Sequence, residues 1–165
     1  MAKTYYIFRH GQTFATKYHT GYGWKVFTAS ILNDSKPALA KMGQYLSTQK
    51  IDLAYRSPLK RCQQTANIIS SETNIEFQSD IRLGELFLEF HWQVRRRAKN
   101  FLDSIAETDA ENIAICTHGA VITELMKLLS NHKSRFLEYP QPGVLIIIKE
   151  GKVELINFNK PTTQQ

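Results

Sequence analysis

A chain of 165 residues, 42% hydrophobic and 11% aromatic, has room for one buried core and too few polar residues for disorder. A single domain over 1–160 with a frayed polar tail at 161–165 is therefore expected. The formal charge of +6 favours an anionic partner without naming it. No apolar run reaches the roughly eighteen residues a membrane helix needs, and the N-terminus carries a lysine and a strand-length apolar run rather than a signal-peptide core. A soluble, cytoplasmic protein that neither spans a membrane nor is exported is expected. Cys62 and Cys116 lie in apolar periodic segments without CxxC spacing, which predicts reduced core thiols.

In chain order, a β-prone run over about 3–8 opens directly into Arg9-His10-Gly11. Residues 11–35 hold no sustained period and predict a long loop at the active edge. Leu39, Met42 and Leu46 form a helical stripe with Pro37 in its first turn. A short strand over 51–55 precedes Ser57-Pro58, which predicts an N-cap and first helical residue for a helix with the stripe Leu59, Cys62, Ala66 and Ile69. A brief strand over 75–77 leads into a connection whose Leu83, Leu86 and Leu88 need apolar cover. Val94, Ala98, Phe101, Leu102 and Ile105 mark a helix over 92–107. A strand over 112–117 then meets His118-Gly119 and a largely apolar, well-buried helix, and 144–148 with 153–156 read as a closing hairpin. The alternation predicts an α/β fold, a three-layer α/β/α sandwich with a mainly parallel sheet and an antiparallel edge hairpin.

Two strands end alike, in Arg9-His10-Gly11 and Thr117-His118-Gly119, so adjacent strands would bring two imidazoles together at the carboxyl edge of the sheet. Between them, Arg61 lies in the first turn of a helix, where free N–H groups and a guanidinium both favour an anion. With Arg9 it could grip a tetrahedral phosphate. These motifs, together with Ser57-Pro58-Leu59-Lys60-Arg61 followed by Thr65-Ala66, and Arg82-Leu83-Gly84-Glu85, occur in an order and at separations that resemble the histidine phosphatase superfamily, or phosphoglycerate mutase-like family, over residues 9–119.

The resemblance implies phosphoryl transfer through a phosphohistidine on a neutral His10. Arg9, Arg61 and His118 would neutralise the transferring group, and Glu85 would serve as acid and base. Gly11, Thr13, Thr16, Ser57 and Gly119 would line the phosphate site, with Thr16 standing where the family usually has Asn. No metal or cofactor is required. Glu89, four residues on, competes with Glu85 for the carboxylate position. About 25 residues separate Glu85 from the Asn112 strand, and one helix nearly fills them, so the lid of larger mutases is mostly absent and an open pocket is expected.

The preferred reading is a metal-independent phosphomonoesterase acting on a phosphorylated small molecule or phosphoprotein. Mutase chemistry, phosphohistidine phosphatase activity and a phosphate-binding protein without turnover are the alternatives. Arg96 and Arg97 fall on the face opposite the helix stripe and argue against a nucleic-acid role, while Arg95 flanks the stripe and is placed to reach the site entrance. The histidines at 10, 19, 91, 118 and 132 show no zinc-site spacing. Tyr22 and Trp24 either gate the pocket or pack on the domain.

Overall fold

In β1 (Thr4–Arg9), Tyr6 and Phe8 point to one face of the sheet and Ile7 to the other, the period of two that a strand buried on both sides requires. β4 (Asn112–Thr117) repeats the division with Ala114 and Cys116 against Ile113 and Ile115. The structure is a computed structural model that describes residues 2–130 and 140–160. The expected 161–165 tail and His132 lie outside the described residues.

Six strands form one sheet in the order β3-β2-β4-β1-β5-β6. β2 (Leu53–Arg56) and β3 (Phe77–Ser79) run parallel to each other, β2 runs parallel to β4, and β4 to β1. β5 (Val144–Lys149) is antiparallel to β1 and pairs in a hairpin with β6 (Lys152–Asn157). A short helix α1 (Phe14–Lys17) follows β1. The helices α2 (Lys36–Ser47) and α3 (Lys60–Ser71) bury Met42, Leu46, Cys62 and Ile69 on one face of the sheet. On the other face, α4 (His91–Ala106) and α5 (Gly119–Leu129) bury Val94, Phe101, Val121 and Leu125. The three-layer α/β/α expectation holds. Both cysteines are buried and free, and among the described residues no helix is long and apolar enough to cross a membrane.

Several local expectations change. The loop over 11–35 is not irregular throughout: Thr13 and Thr16 form a reciprocal capping box that nucleates α1, and 3₁₀ turns form at Gly23–Val26 and Asn33–Ser35. β3 starts at Phe77, two residues late, because the turn after α3 holds Ile75 by a Ser70 hydroxyl on its carbonyl and by the Thr73 oxygen on its N–H. Leu83 is fully buried and Leu86 packs on the core, but Leu88 is 89% exposed. Arg95 turns to the nearly buried Glu124 of α5 at 3.3 Å instead of the site entrance. Arg97, expected on the solvated face, reaches back to Glu89 at 3.1 Å and to the backbone carbonyls of Arg82 and Glu85.

Candidate active site

Parallel pairing of β1 with β4 places Arg9 opposite Thr117, so the next residue of each strand, His10 and His118, leaves the same edge of the sheet. The His10 N–H donates to the Thr117 carbonyl, and the two imidazole centroids lie 5.2 Å apart. Both rings are fully buried.

His10 Nδ1 lies 2.8 Å from the carbonyl oxygen of Gly11. A carbonyl only accepts, so this contact assigns the proton to Nδ1 and leaves the Nε2 lone pair free on the opposite side of the ring. Burial, with the added repulsion of His118, Arg61 and Arg9, pushes His10 well below the ordinary imidazole value. The neutral ring is thus both oriented and kept unprotonated. Gly11 supports that orientation: its N–H donates to Thr65 Oγ1 at 2.8 Å, and a Cβ placed on it would lie 2.8 Å from Ser35 Oγ and 2.9 Å from Leu39 Cδ1. Gly11→Ala is expected to destabilise the fold by about 1–3 kcal/mol through this overpacking, as read by urea denaturation.

Arg61 enters from the first turn of α3 and is the largest fully buried side chain. Its guanidinium donates to the Val26 carbonyl at 2.5 Å and to Glu85 Oε2 at 3.2 Å, and lies 4.3 Å from the centroid of the Tyr22 ring. Nε has no hydrogen-bond partner among the described residues. A buried cationic donor left without a partner is suited to an anionic oxygen. The helix does not begin as expected at Ser57-Pro58: Leu59 is the N-cap, with no side-chain cap. Ser57 instead lies 2.8 Å from His118 Nε2 through its hydroxyl and receives the Leu59 N–H, so its oxygen is drawn into the site.

Glu85, rather than Glu89, is the carboxylate that joins the cluster, with Oε2 3.3 Å from His118 Nδ1 as well as beside Arg61. Burial would raise its carboxyl, but His118, Arg61 and the Leu86 N–H overcome that and hold it at about 2. For His118, burial opposes the imidazolium, yet the Cys62 sulfur and the Glu85 carboxylate keep it above its ordinary value. The resting cluster therefore has a neutral His10 and an ionised Glu85, with His118 biased towards its imidazolium form.

Because the folded carboxyl titrates below its ordinary 4.5, Glu85 contributes stability that is fully present above that value and lost as pH falls towards 2. The difference in unfolding free energy between wild type and Glu85→Gln should be about 3 kcal/mol near pH 6 and shrink towards zero at pH 2, measured by denaturation at each pH.

Thr13 and Thr16 spend their hydroxyls largely on each other, although Thr13 Oγ1 also meets the Tyr22 hydroxyl at 2.8 Å and Thr16 borders a cavity with Arg9. Arg9 lies at the mouth, where it donates to the Pro140 carbonyl, and Gly119 opens the N-terminus of α5. Of the two loop aromatics, Tyr22 enters the site, its hydroxyl 3.5 Å from His10 Nε2, whereas Trp24 is 85% exposed. Sequence reasoning missed Thr117, whose hydroxyl donates to the Leu83 carbonyl at 2.6 Å, and Arg97, both of which pin the segment carrying Glu85.

Among the described residues, one group is spaced to ligate a metal, and it is His10, Glu85 and His118 themselves, with ligand atoms within 4.8 Å of one another. The Arg61 guanidinium beside them makes that space less favourable for a further cation and more favourable for an anion.

The sequence profile described as the histidine phosphatase superfamily, branch 1, matches residues 5–93 and 88–150, and the chain belongs to that family. YhfR of Bacillus stearothermophilus superposes with a TM-score of 0.75 at 18% identity, over 96% of this chain and 100% of that one. A phosphoglycerate mutase from Bacillus anthracis gives 0.74 at 17% identity, over 96% and 93%. A mycobacterial glucosyl-3-phosphoglycerate phosphatase gives 0.75 at 15%, over 98% and 100%. At these identities the likeness is one of fold, and both phosphatases and a mutase share it. No curated protein compared with the chain matches it.

Proposed function

We propose that the protein is a phosphomonoesterase that transfers a phosphoryl group to His10 and then to water. The observation that carries this reading is the Nδ1 contact to the Gly11 carbonyl, which leaves Nε2 unprotonated on a ring clustered with His118 and Glu85.

In the first step the Nε2 lone pair attacks phosphorus, the N–P bond forms and the bond to the leaving oxygen breaks. Arg9, Arg61 and His118 stabilise the charge spread over the equatorial oxygens, which is where a preorganised site lowers the barrier most. The leaving oxygen needs a proton. Glu85 is ionised at rest, so it takes up a proton as the ester binds and delivers that proton to the alcohol, while the His118 ring, its Nδ1 3.3 Å from Oε2, stays beside it. In the second step water attacks the phosphohistidine, Glu85 takes its proton, the N–P bond breaks and inorganic phosphate leaves. Tyr22 occupies the space beside Nε2 that phosphorus must enter, so its phenol moves aside when substrate binds.

Water as acceptor is favoured by what lies between Glu85 and β4: a short connection and α4 account for those residues, leaving no inserted lid to hold a bisphosphate while it reorients. The fold neighbours named for phosphatase activity on phosphorylated small molecules support a substrate of that size. The test is hydrolysis of phenyl phosphate with excess chelator. Turnover undiminished by the chelator is expected; turnover that disappears with it, or exchange of phosphate between glycerate positions faster than hydrolysis, would contradict the reading.

A further inference from the structure

Two cavities open beside the catalytic cluster, and their walls differ in chemistry. One, of about 440 Å³, is bordered by Arg9, Thr16, His19, Thr20 and Gln141. The other, of about 510 Å³, is walled by Val26, Phe27, Leu59, Ile81 and Phe87, and Glu85 also lines it. Phe27 meets Phe87 edge-on at 5.2 Å, and Trp24 joins Phe87 at 6.3 Å, so the rings form one continuous surface. Much of that surface faces water: Phe27 is 53% and Ile81 83% exposed. A connected apolar patch beside a polar centre marks a binding surface more often than a scattered exposed residue does.

The cations on this side are already engaged. Arg82 pairs with Asp80 at 2.6 Å and Arg97 with Glu89 at 3.1 Å, so among the described residues neither offers an unpaired charge to a second phosphate or a carboxylate.

Resting on the phosphomonoesterase reading above, we propose that this aromatic groove is the leaving-group subsite and that it selects monoesters of uncharged, apolar alcohols, aryl or alkyl, over phosphosugars and bisphosphates. The leaving oxygen has to approach Glu85 to be protonated. The carbon skeleton bonded to that oxygen must then extend along the wall Glu85 belongs to, which is the groove of Phe27 and Phe87 and not the polar cavity beside Arg9. Each methylene that leaves water for this wall adds to kcat/KM through binding, with no change in the chemistry at phosphorus.

A series of n-alkyl phosphates from methyl to octyl tests this, because the basicity of the leaving alkoxide is nearly constant along it and only the apolar surface grows. The expected result is a rise in kcat/KM of roughly threefold for each of the first several methylenes, with a parallel tightening of inhibition by the matching alkylphosphonates. In the Phe27→Asn/Phe87→Asn double variant the slope should flatten. Turnover with a flat series in the wild type would overturn the subsite and leave the phosphatase reading standing. A slope that survives in the double variant would overturn its placement in this groove. Failure of every ester to turn over, with no phosphoenzyme formed, would remove both readings together. The wild-type phosphonate series reads the subsite independently if the double variant does not fold.

Discussion

His10→Ala is expected to lower kcat/KM for phosphomonoesters by at least about 10⁴-fold, the scale of losses seen when an enzyme loses the nucleophile of a covalent mechanism. The loss should appear in kcat, since the substituted residue removes the bond-forming lone pair while Arg61 and His118 still bind phosphate. The structural cost should be small by comparison: the ring makes a short hydrogen bond to the Gly11 carbonyl and a long one, 3.5 Å, with the Tyr22 hydroxyl, and it is neutral at neutral pH in the folded and largely neutral in the unfolded chain. Binding of inorganic phosphate should therefore persist in the variant. Steady-state kinetics with phenyl phosphate, alongside calorimetric phosphate binding, separates the two; a variant that retains turnover would place the nucleophile elsewhere.

The second large effect concerns Arg61. Arg61→Ala removes a buried guanidinium that holds Glu85, the Val26 carbonyl and the face of Tyr22 at once. Loss of one preorganised donor to a developing charge typically costs about 10²–10³ in rate, and here the carboxylate that supplies the leaving-group proton loses its partner too, so a loss of about 10³-fold or more is expected. Stability should also fall by about 3–5 kcal/mol, because Glu85 is left as a buried charge without its guanidinium. Arg61→Lys should restore little of either: an ammonium cannot hold the carbonyl, the carboxylate and a phosphoryl oxygen in one plane. Equal activity in the Lys and wild-type proteins would reduce Arg61 to a point charge. Measured together, kcat/KM and urea midpoints distinguish the two contributions.

How much of this could be read from residue order differs between elements for physical reasons. The sheet was legible because β1 and β4 are buried on both faces and carry near-continuous apolar runs, and because each ends in His-Gly; strand pairing then brings His10 to His118 without any further information. The Arg61 position was legible as a helix start, but its complete burial was not, since that depends on the Val26 carbonyl arriving from a 3₁₀ turn 35 positions away. Ser57 looked like an N-cap on local grounds, and tertiary structure redirected its hydroxyl to His118. The Arg82-Leu83-Gly84-Glu85 motif favoured Glu85, but no local period excluded Glu89. The choice is made by the carbonyls that Arg97 and Thr117 hold, long-range contacts that orient a segment with no period of its own. The same contacts leave Leu88 in water, at a backbone φ of +53° that turns the chain away from the core. Tyr22 was ambiguous because a residue between Gly21 and Gly23 has little local bias, and only the finished site shows a phenol against His10 Nε2.

The central claim is that Nε2 of His10 carries the phosphoryl group during turnover. The direct measurement is to mix the protein with a phosphomonoester for a fraction of one turnover, denature it at alkaline pH, where phosphohistidine survives, and map the modified peptide by mass spectrometry. The expected result is a phosphoryl group on the peptide containing His10, at the Nε2 position, which appears and decays at rates that account for steady-state hydrolysis. Hydrolysis that proceeds with no covalent phosphoryl group on His10, or with one that forms more slowly than product, would contradict it.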